Sequence, residues 1–261
     1  MSDSPARWGE PGDDQALLDA LDARHGVVCF VGAGGKKSTM YRLALAHPGR
    51  VGVTSTVHIP YFPVELGAAE VIEENSALVE AVAVAAQGER LLAFARPSEK
   101  RGRWAGVDPD LIENVRQRAA LDVVLVKAAG ARSRLINIAA GAGPRLPQQV
   151  RTLVRVLSVQ ALGQRLSEGI AHKVERISAA TGLEPGQTIA AAHLVRLLLV
   201  EAGADASGKE RILQLNMVDD QARLREARAV AEQVLEAVNA FRRVVLTRAN
   251  HPRPLLEVLE R

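Results

Sequence analysis

Residues 27–46 read VVCFVGAGGKKSTMYRLALA. The apolar run Val27 to Val31 has the composition of a buried strand and stops at Gly32-Ala33-Gly34-Gly35. Lys36, Lys37, Ser38 and Thr39 follow and lead into helical spacing at Met40, Leu43 and Ala44. Strand, glycine turn and a helix that opens on lysine and hydroxyls form a phosphate cradle. The glycines let backbone N–H groups approach an anion, the helix N-terminus adds partial positive charge, and a lysine adds a full one. Two adjacent lysines at a helix N-terminus oppose the helix dipole unless an anion offsets them.

The stretch is a compressed Gly-x-Gly-Gly-Lys form rather than a Walker A. Phe30 occupies the place of the first Walker glycine, and Lys37 that of the hydroxyl that ligates magnesium. A dinucleotide fingerprint fits less well. It needs glycine at Lys37 and an acidic residue ending the next strand, where Thr54, Ser55 and Thr56 stand.

Outward from this stretch, apolar strands are expected near residues 50–56, 69–72, 91–95, 122–126, 153–159, 211–215 and 244–247. Helices are expected at 15–23, 76–87, 108–119, 173–181, 188–202 and 220–243. In the last of these, Leu224, Ala227, Val230, Ala231, Val234, Leu235, Val238 and Phe241 share a stripe, and Asp219 or Asp220 can cap its start. Strands alternating with helices predict an α/β fold, a mainly parallel sheet with helices on both faces and so three layers. Residues 1–13, rich in Pro, Gly and Asp, are expected to be loose, and 14–261 to form one domain with a helical subregion at 160–205. The stretch 139–172 reads as loops around a site.

The 261-residue chain is 48% hydrophobic but only 3% aromatic, so its core must be built from Leu, Val, Ile and Ala. A formal net charge of +3 suits a polyanionic ligand without calling for nucleic acid. The single cysteine, Cys29, lies in the first strand and reads as a small buried hydrophobe. No apolar run reaches transmembrane length, and Asp3, Glu10, Asp13 and Asp14 leave no signal-peptide core. The expectation is a cytoplasmic bacterial protein without membrane contact.

Three further segments are candidates for chemistry. Thr54 and Thr56 end the second strand, where hydroxyls can approach a phosphate or its metal; β-propensity and a turn at Pro60 account for them equally simply, and His58 reads as site or structure. Asn216 and Asp219 sit where guanine-specific proteins carry Asn-Lys-x-Asp, although Met217 replaces the lysine and Asp219 also suits a helix cap. The turn Arg96 to Trp104, with Lys100, Arg101 and Arg103, reads as a solvated loop or a clamp for an anion. The central strand 121–126 runs into Lys127-Ala128-Ala129-Gly130, where an acidic residue would be expected beside a magnesium nucleotide.

In this order the segments resemble the selenium-dependent hydroxylase accessory proteins, the YqeC-like family. The resemblance covers most of residues 20–248. It rests on Gly32-Ala-Gly-Gly-Lys36, Thr54-Ser-Thr-Val-His-Ile59, Gly130-Ala-Arg132, Pro144-Arg-Leu-Pro147, Ala161-Leu-Gly-Gln-Arg-Leu-Ser167, His172-Lys-Val-Glu175 and Leu215-Asn-Met-Val-Asp219. It implies a P-loop-like fold, nucleotide handling and a role in molybdenum hydroxylase maturation, with maturation proteins as partners.

The departures fall on the chemistry. The family's Thr after the loop lysine is Lys37, its Glu-Ala-Asp-Gly is Lys127-Ala-Ala-Gly130, its His-Glu-Pro is Ala142-Gly-Pro144, and an aspartate is Gln160. Carboxylates leave and lysines enter where the family would handle a metal. Lys37 and Lys127 are therefore read as replacing magnesium around a nucleoside triphosphate of unspecified base, with weak or no hydrolysis and no protein metal ligands. An active NTPase or phosphotransferase using Lys36 with Ser38, Thr39 or Thr56, and a scaffold that binds a partner or a molybdopterin-type cofactor, are the alternatives.

Overall fold

A computed structural model describes residues 14–131, 133–138, 143–203 and 211–261. The expectation for residues 1–13 lies outside these, as do Arg132 and Ala142.

In chain order the elements are α1 (Asp14–Ala20), β1 (Gly26–Gly32), α2 (Lys36–Ala46), β2 (Val51–Ser55), β3 (Ile59–Pro60), β4 (Ala69–Ile72), α3 (Asn75–Ala85) and β5 (Leu91–Ala95). There follow β6 (Arg103–Trp104), α4 (Ile112–Arg118), β7 (Val123–Lys127), β8 (Ile136–Asn137), β9 (Thr152–Ser158) and β10 (Ala171–His172). The last are α5 (Val174–Thr181), α6 (Ala191–Gly203), β11 (Arg211–Asn216), α7 (Gln221–Ala237), β12 (Phe241–Thr247) and β13 (Leu255–Glu260).

Nine strands form one sheet in the order β13-β12-β11-β9-β1-β7-β2-β5-β4. All neighbours are parallel except β12 and β13. Parallel strands are covered on both faces and read as continuous apolar runs; VVLVK of β7 and TLVRVLS of β9 are buried at every position. Alternate residues feed opposite layers. Val28 and Phe30 of β1 pack with Leu17, Leu18, Met40 and Leu43 of the α1–α2 side. Val27 and Cys29 pack with Leu78, Val82, Ile112 and Val115 of α3 and α4. Farther along that second face, α5, α6 and α7 cover Leu213, Leu215, Val244 and Leu246. This is the expected three-layer α/β arrangement, and no helix of the described residues is long and apolar enough to cross a membrane.

The order of strands positions the site. From β1 the chain crosses through α2 to β2, on the far side of β7, whereas β9 adjoins β1 on its other side. The connections therefore diverge at the carboxyl end of β1, where α/β sheets open a ligand crevice.

One expected element is shorter than its apolar stripe. Helix α7 starts on Asp220, whose carboxylate accepts from the Arg223 N–H at 2.8 Å, but it ends at Ala237. Val238 is already extended and Phe241 opens β12. Phe241 continued the helical spacing because helix end and strand start cover the same core. The antiparallel strand β13 was not expected, since its glutamates at 257 and 260 dilute an apolar run.

A buried cation fastens the outer elements. Arg42 of α2 donates to Asp14 Oδ1 at 2.5 Å and to the carbonyls of Ala249, His251 and Pro252 at 3.2, 2.5 and 3.1 Å.

Candidate anion-binding site

The glycine turn is seated against the ends of two strands. Ala33 N–H donates to the Val156 carbonyl at 2.9 Å, and the Asn216 amide donates to the Gly34 carbonyl at 2.8 Å. Gly32 and Gly34 have φ of 87° and 89°. A Cβ on Gly32 would lie 2.1 Å from the Val156 carbonyl oxygen, and one on Gly34 2.7 Å from the Ser158 backbone nitrogen. Glycine is required at both by conformation and by space.

Helix α2 starts directly after this turn. Its N-cap, Gly35, is left-handed, offers no side-chain cap, and is followed by a first turn without an acidic residue. Orphan N–H groups and the positive dipole end thus coincide with Lys36 and Lys37.

More cations converge from neighbouring strands. Lys36 is buried and donates to the Gly32 carbonyl. Burial first, then the charges of Lys127, Arg155 and Lys37, hold its ammonium down at about 7. Lys127, at the end of β7, is lowered to about 8 by burial, then by Lys37 and Arg103, and donates to the His58 carbonyl at 2.7 Å. His58 is itself pushed down by desolvation and by Lys100, Arg103 and Lys127. Among the described residues, no three His, Cys, Asp or Glu side chains cluster to hold a metal ion. The Lys36 and Lys127 ammoniums here have no lone pair to offer a divalent cation and would repel it.

The residues singled out from the sequence divide into two groups. Gly32, Ala33, Gly34, Gly35, Lys36, Lys37, Ser38 and Thr39 form the turn and the first turn of α2, and Lys127 joins them. Thr54, Asn216, Asp219 and, within the first group, Thr39 have side-chain partners within the protein. The Thr54 hydroxyl donates to the Phe94 carbonyl at 2.6 Å, and Thr39 Oγ1 accepts from Gln214 at 2.9 Å. Asn216 Oδ1 accepts from Thr247 at 2.9 Å and from Ala249 N–H at 3.0 Å, so Asn216 links the turn to β12. Asp219 accepts from the Gln160 amide at 2.6 Å, and Asp220 is the residue that caps α7. Thr56 Oγ1 is buried with no partner among the described residues.

Arg155 was missed by sequence reasoning. It lies in β9, donates to Asn137 O and Oδ1 at 2.7 and 3.3 Å and to the Val156 carbonyl at 2.8 Å, and pairs with Glu201 of α6 at 2.7 Å. A Cβ on Gly32 would strike its Nη1 at 1.9 Å. The signal was available: an arginine inside the otherwise apolar strand TLVRVLS must have partners to be tolerated.

A family model described as "YqeC protein" matches residues 28–175, from the middle of β1 into α5. The "Uncharacterized protein YqeC" of Escherichia coli (strain K12) is 27% identical over 201 residues, covering 74% of this chain and 75% of that protein.

Proposed function

The chain belongs to the YqeC family, and from that premise we propose that it is a nucleotide- or phosphate-binding accessory protein, with weak or no hydrolysis, acting in maturation of a selenium-dependent molybdenum hydroxylase. The observation that carries the phosphate reading is the convergence of Lys36, Lys37 and Lys127 on an uncapped helix N-terminus. A polyphosphate offsets that charge. With ammoniums at the end of β7 and in the first turn of α2, the anion needs no magnesium, since a divalent cation would be repelled by about 4 kcal/mol or more per lysine 4 Å away at an effective dielectric of 20. Weak turnover follows from the absence of a carboxylate at the end of β7, in VVLVK, to orient water or metal.

Calorimetric titration of ATP, GTP and CTP, with and without magnesium, tests this on wild type and Lys36→Met. Binding that requires Lys36 and is unaffected by chelation is the expected result. Binding that requires magnesium overturns the metal-free site, and no binding of any of the three overturns nucleotide binding.

The affinity also carries a pH signature. In the free protein Lys36 loses its proton near pH 7 and Lys127 near pH 8, and a bound anion raises both values. Affinity is therefore greatest below about pH 7, falls as much as tenfold per pH unit above it, and falls more steeply above about 8. Titrating inorganic tripolyphosphate across this range in two buffers of different ionisation enthalpy should reveal proton uptake on binding. A flat profile with no proton uptake means that neither lysine meets the ligand.

A further inference from the structure

We propose that the small ribbon made by β3 and β6 is a ring platform beside the phosphate site, on which the flat aromatic ring of a phosphate-bearing ligand stacks. The proposal rests on the phosphate reading above and adds to it where the non-phosphate part of the ligand lies.

The ribbon pairs Ile59 with Trp104 and Pro60 with Arg103 in antiparallel register, and Tyr61 N–H donates to the Gly102 carbonyl at 3.3 Å. This brings the rings of Tyr61 and Trp104 to a centroid distance of 4.5 Å with planes tilted by 44°. The two rings have different surroundings. Trp104 packs on the core of the α1–α2 face, whereas Tyr61 is 50% exposed. One ring is thus held and the other is supported on it from behind, which keeps an aromatic surface in place at low entropic cost. In a chain whose aromatic content is 3%, such a pair is a scarce resource. The indole N–H of Trp104 is buried and has no acceptor among the described residues.

Both legs of the ribbon are tied to the cation cluster. On one leg, the His58 carbonyl accepts from Lys127 at 2.7 Å. On the other, Val107 N–H donates to the Ser55 carbonyl at 2.8 Å. Gly106 lies so close to the end of β2 that a Cβ there would fall 2.3 Å from the Thr56 carbonyl carbon. Arg103, opposite Pro60, is near enough to depress Lys127 and, with Lys100, His58. Lys127 is thus the link between the two, acted on by Lys37 beside the glycine turn and by Arg103 of the ribbon and bonded to the His58 carbonyl. Phosphate on the lysines and a ring on Tyr61 are the two halves of one ligand class: a nucleotide or another phosphorylated heteroaromatic compound. Stacking of a base on an aromatic side chain is worth about 1–3 kcal/mol by alanine substitution, or roughly five- to 150-fold in affinity.

The chain has two tryptophans, so Trp8→Phe leaves Trp104 as the only one. In that background ATP, GTP and inorganic tripolyphosphate are titrated by calorimetry and by tryptophan emission. The nucleotides should bind more tightly than tripolyphosphate and change Trp104 emission. Tyr61→Ala should lower nucleotide affinity about tenfold while leaving tripolyphosphate affinity unchanged, and Tyr61→Phe should retain binding of both. If tripolyphosphate binds and Tyr61→Ala changes neither nucleotide, the platform is wrong and the phosphate site stands. Equal losses for nucleotide and tripolyphosphate also overturn it, because the effect is then not on the ring. If none of the three ligands binds, the phosphate reading fails and the platform with it.

Discussion

Lys36→Met is expected to raise the melting temperature of the protein while lowering its affinity for tripolyphosphate ten- to a hundredfold. The affinity loss follows from removing a charge-assisted contact worth about 1.5–3 kcal/mol. The stability gain follows from the same electrostatics without the ligand. An ordinary lysine titrates at 10.5, and burial with Lys127, Arg155 and Lys37 lowers Lys36 to about 7. Between these two values the unfolded chain binds the proton that the native protein has released, so stability rises with pH there. The penalty is full below about pH 7 and disappears near 10.5. At about 1.4 kcal/mol for each tenfold it amounts to roughly 5 kcal/mol.

Methionine keeps most of the volume but leaves the Gly32 carbonyl without its Lys36 donor, which costs about 1–3 kcal/mol. A net gain of a few kcal/mol remains, or roughly 5–10 °C at pH 7 for a chain of this size. Thermal melts at several pH values check the sign. The advantage of the variant should be largest at pH 7 and shrink toward pH 10, and a given excess of tripolyphosphate should raise the melting temperature of wild type more than that of the variant. A variant less stable than wild type at pH 7 means that Lys36 is not under strain from its cationic neighbours. A strained lysine that relaxes on binding is the trade of stability for function expected at binding sites.

Local patterns carried most of the fold. The run at 91–95 is strand β5 with those bounds, buried at every position, because strands buried on both faces need unbroken apolar sequence. The run at 69–72 is the edge strand β4, where Glu70 is exposed. The short ribbons β3–β6 and β8–β10 have two residues per strand and no periodicity to read. They exist because the sheet end and its neighbouring loops hold them. Much the same division applies at the site. The turn and its lysines were legible because phosphate cradles are built from consecutive residues. Arg155 left a signal, a charge inside a buried strand, but not its partners. The Gln214–Thr39–Thr247–Asn216 bonds were not legible, because they join segments more than thirty residues apart. Asn216 illustrates the limit. Its place after β11 suggested base recognition, yet its amide donates to Gly34 and its carbonyl accepts from Thr247 and Ala249. Those bonds assign it to holding the turn in place.

The geometry around that turn leads to the second large effect. Gly34→Ala should destabilise the protein by about 2–5 kcal/mol and abolish phosphate binding. The left-handed backbone at φ 89° costs a residue with a Cβ about 1–2 kcal/mol. Overpacking adds about 1–3 kcal/mol, because the new methyl would sit 2.5, 2.7 and 2.9 Å from Ser158 Cβ, N and Cα. Two of these three atoms are backbone of β9, which cannot swing aside as a long side chain can. The turn must therefore lift off the strand end, and the Asn216 bond to the Gly34 carbonyl lengthens with it. Gly67 supplies the control, since it also has positive φ but a Cβ there would meet nothing within 4 Å. Gly67→Ala should lose only the conformational part, about 1–2 kcal/mol, and bind tripolyphosphate as wild type does. Urea unfolding of both variants, with tripolyphosphate titrations of each, separates the two contributions. Equal destabilisation by the two substitutions would mean that the turn is not pinned on β9. Retained binding in Gly34→Ala would mean that the anion is held by the lysines alone, without the backbone N–H groups of the turn.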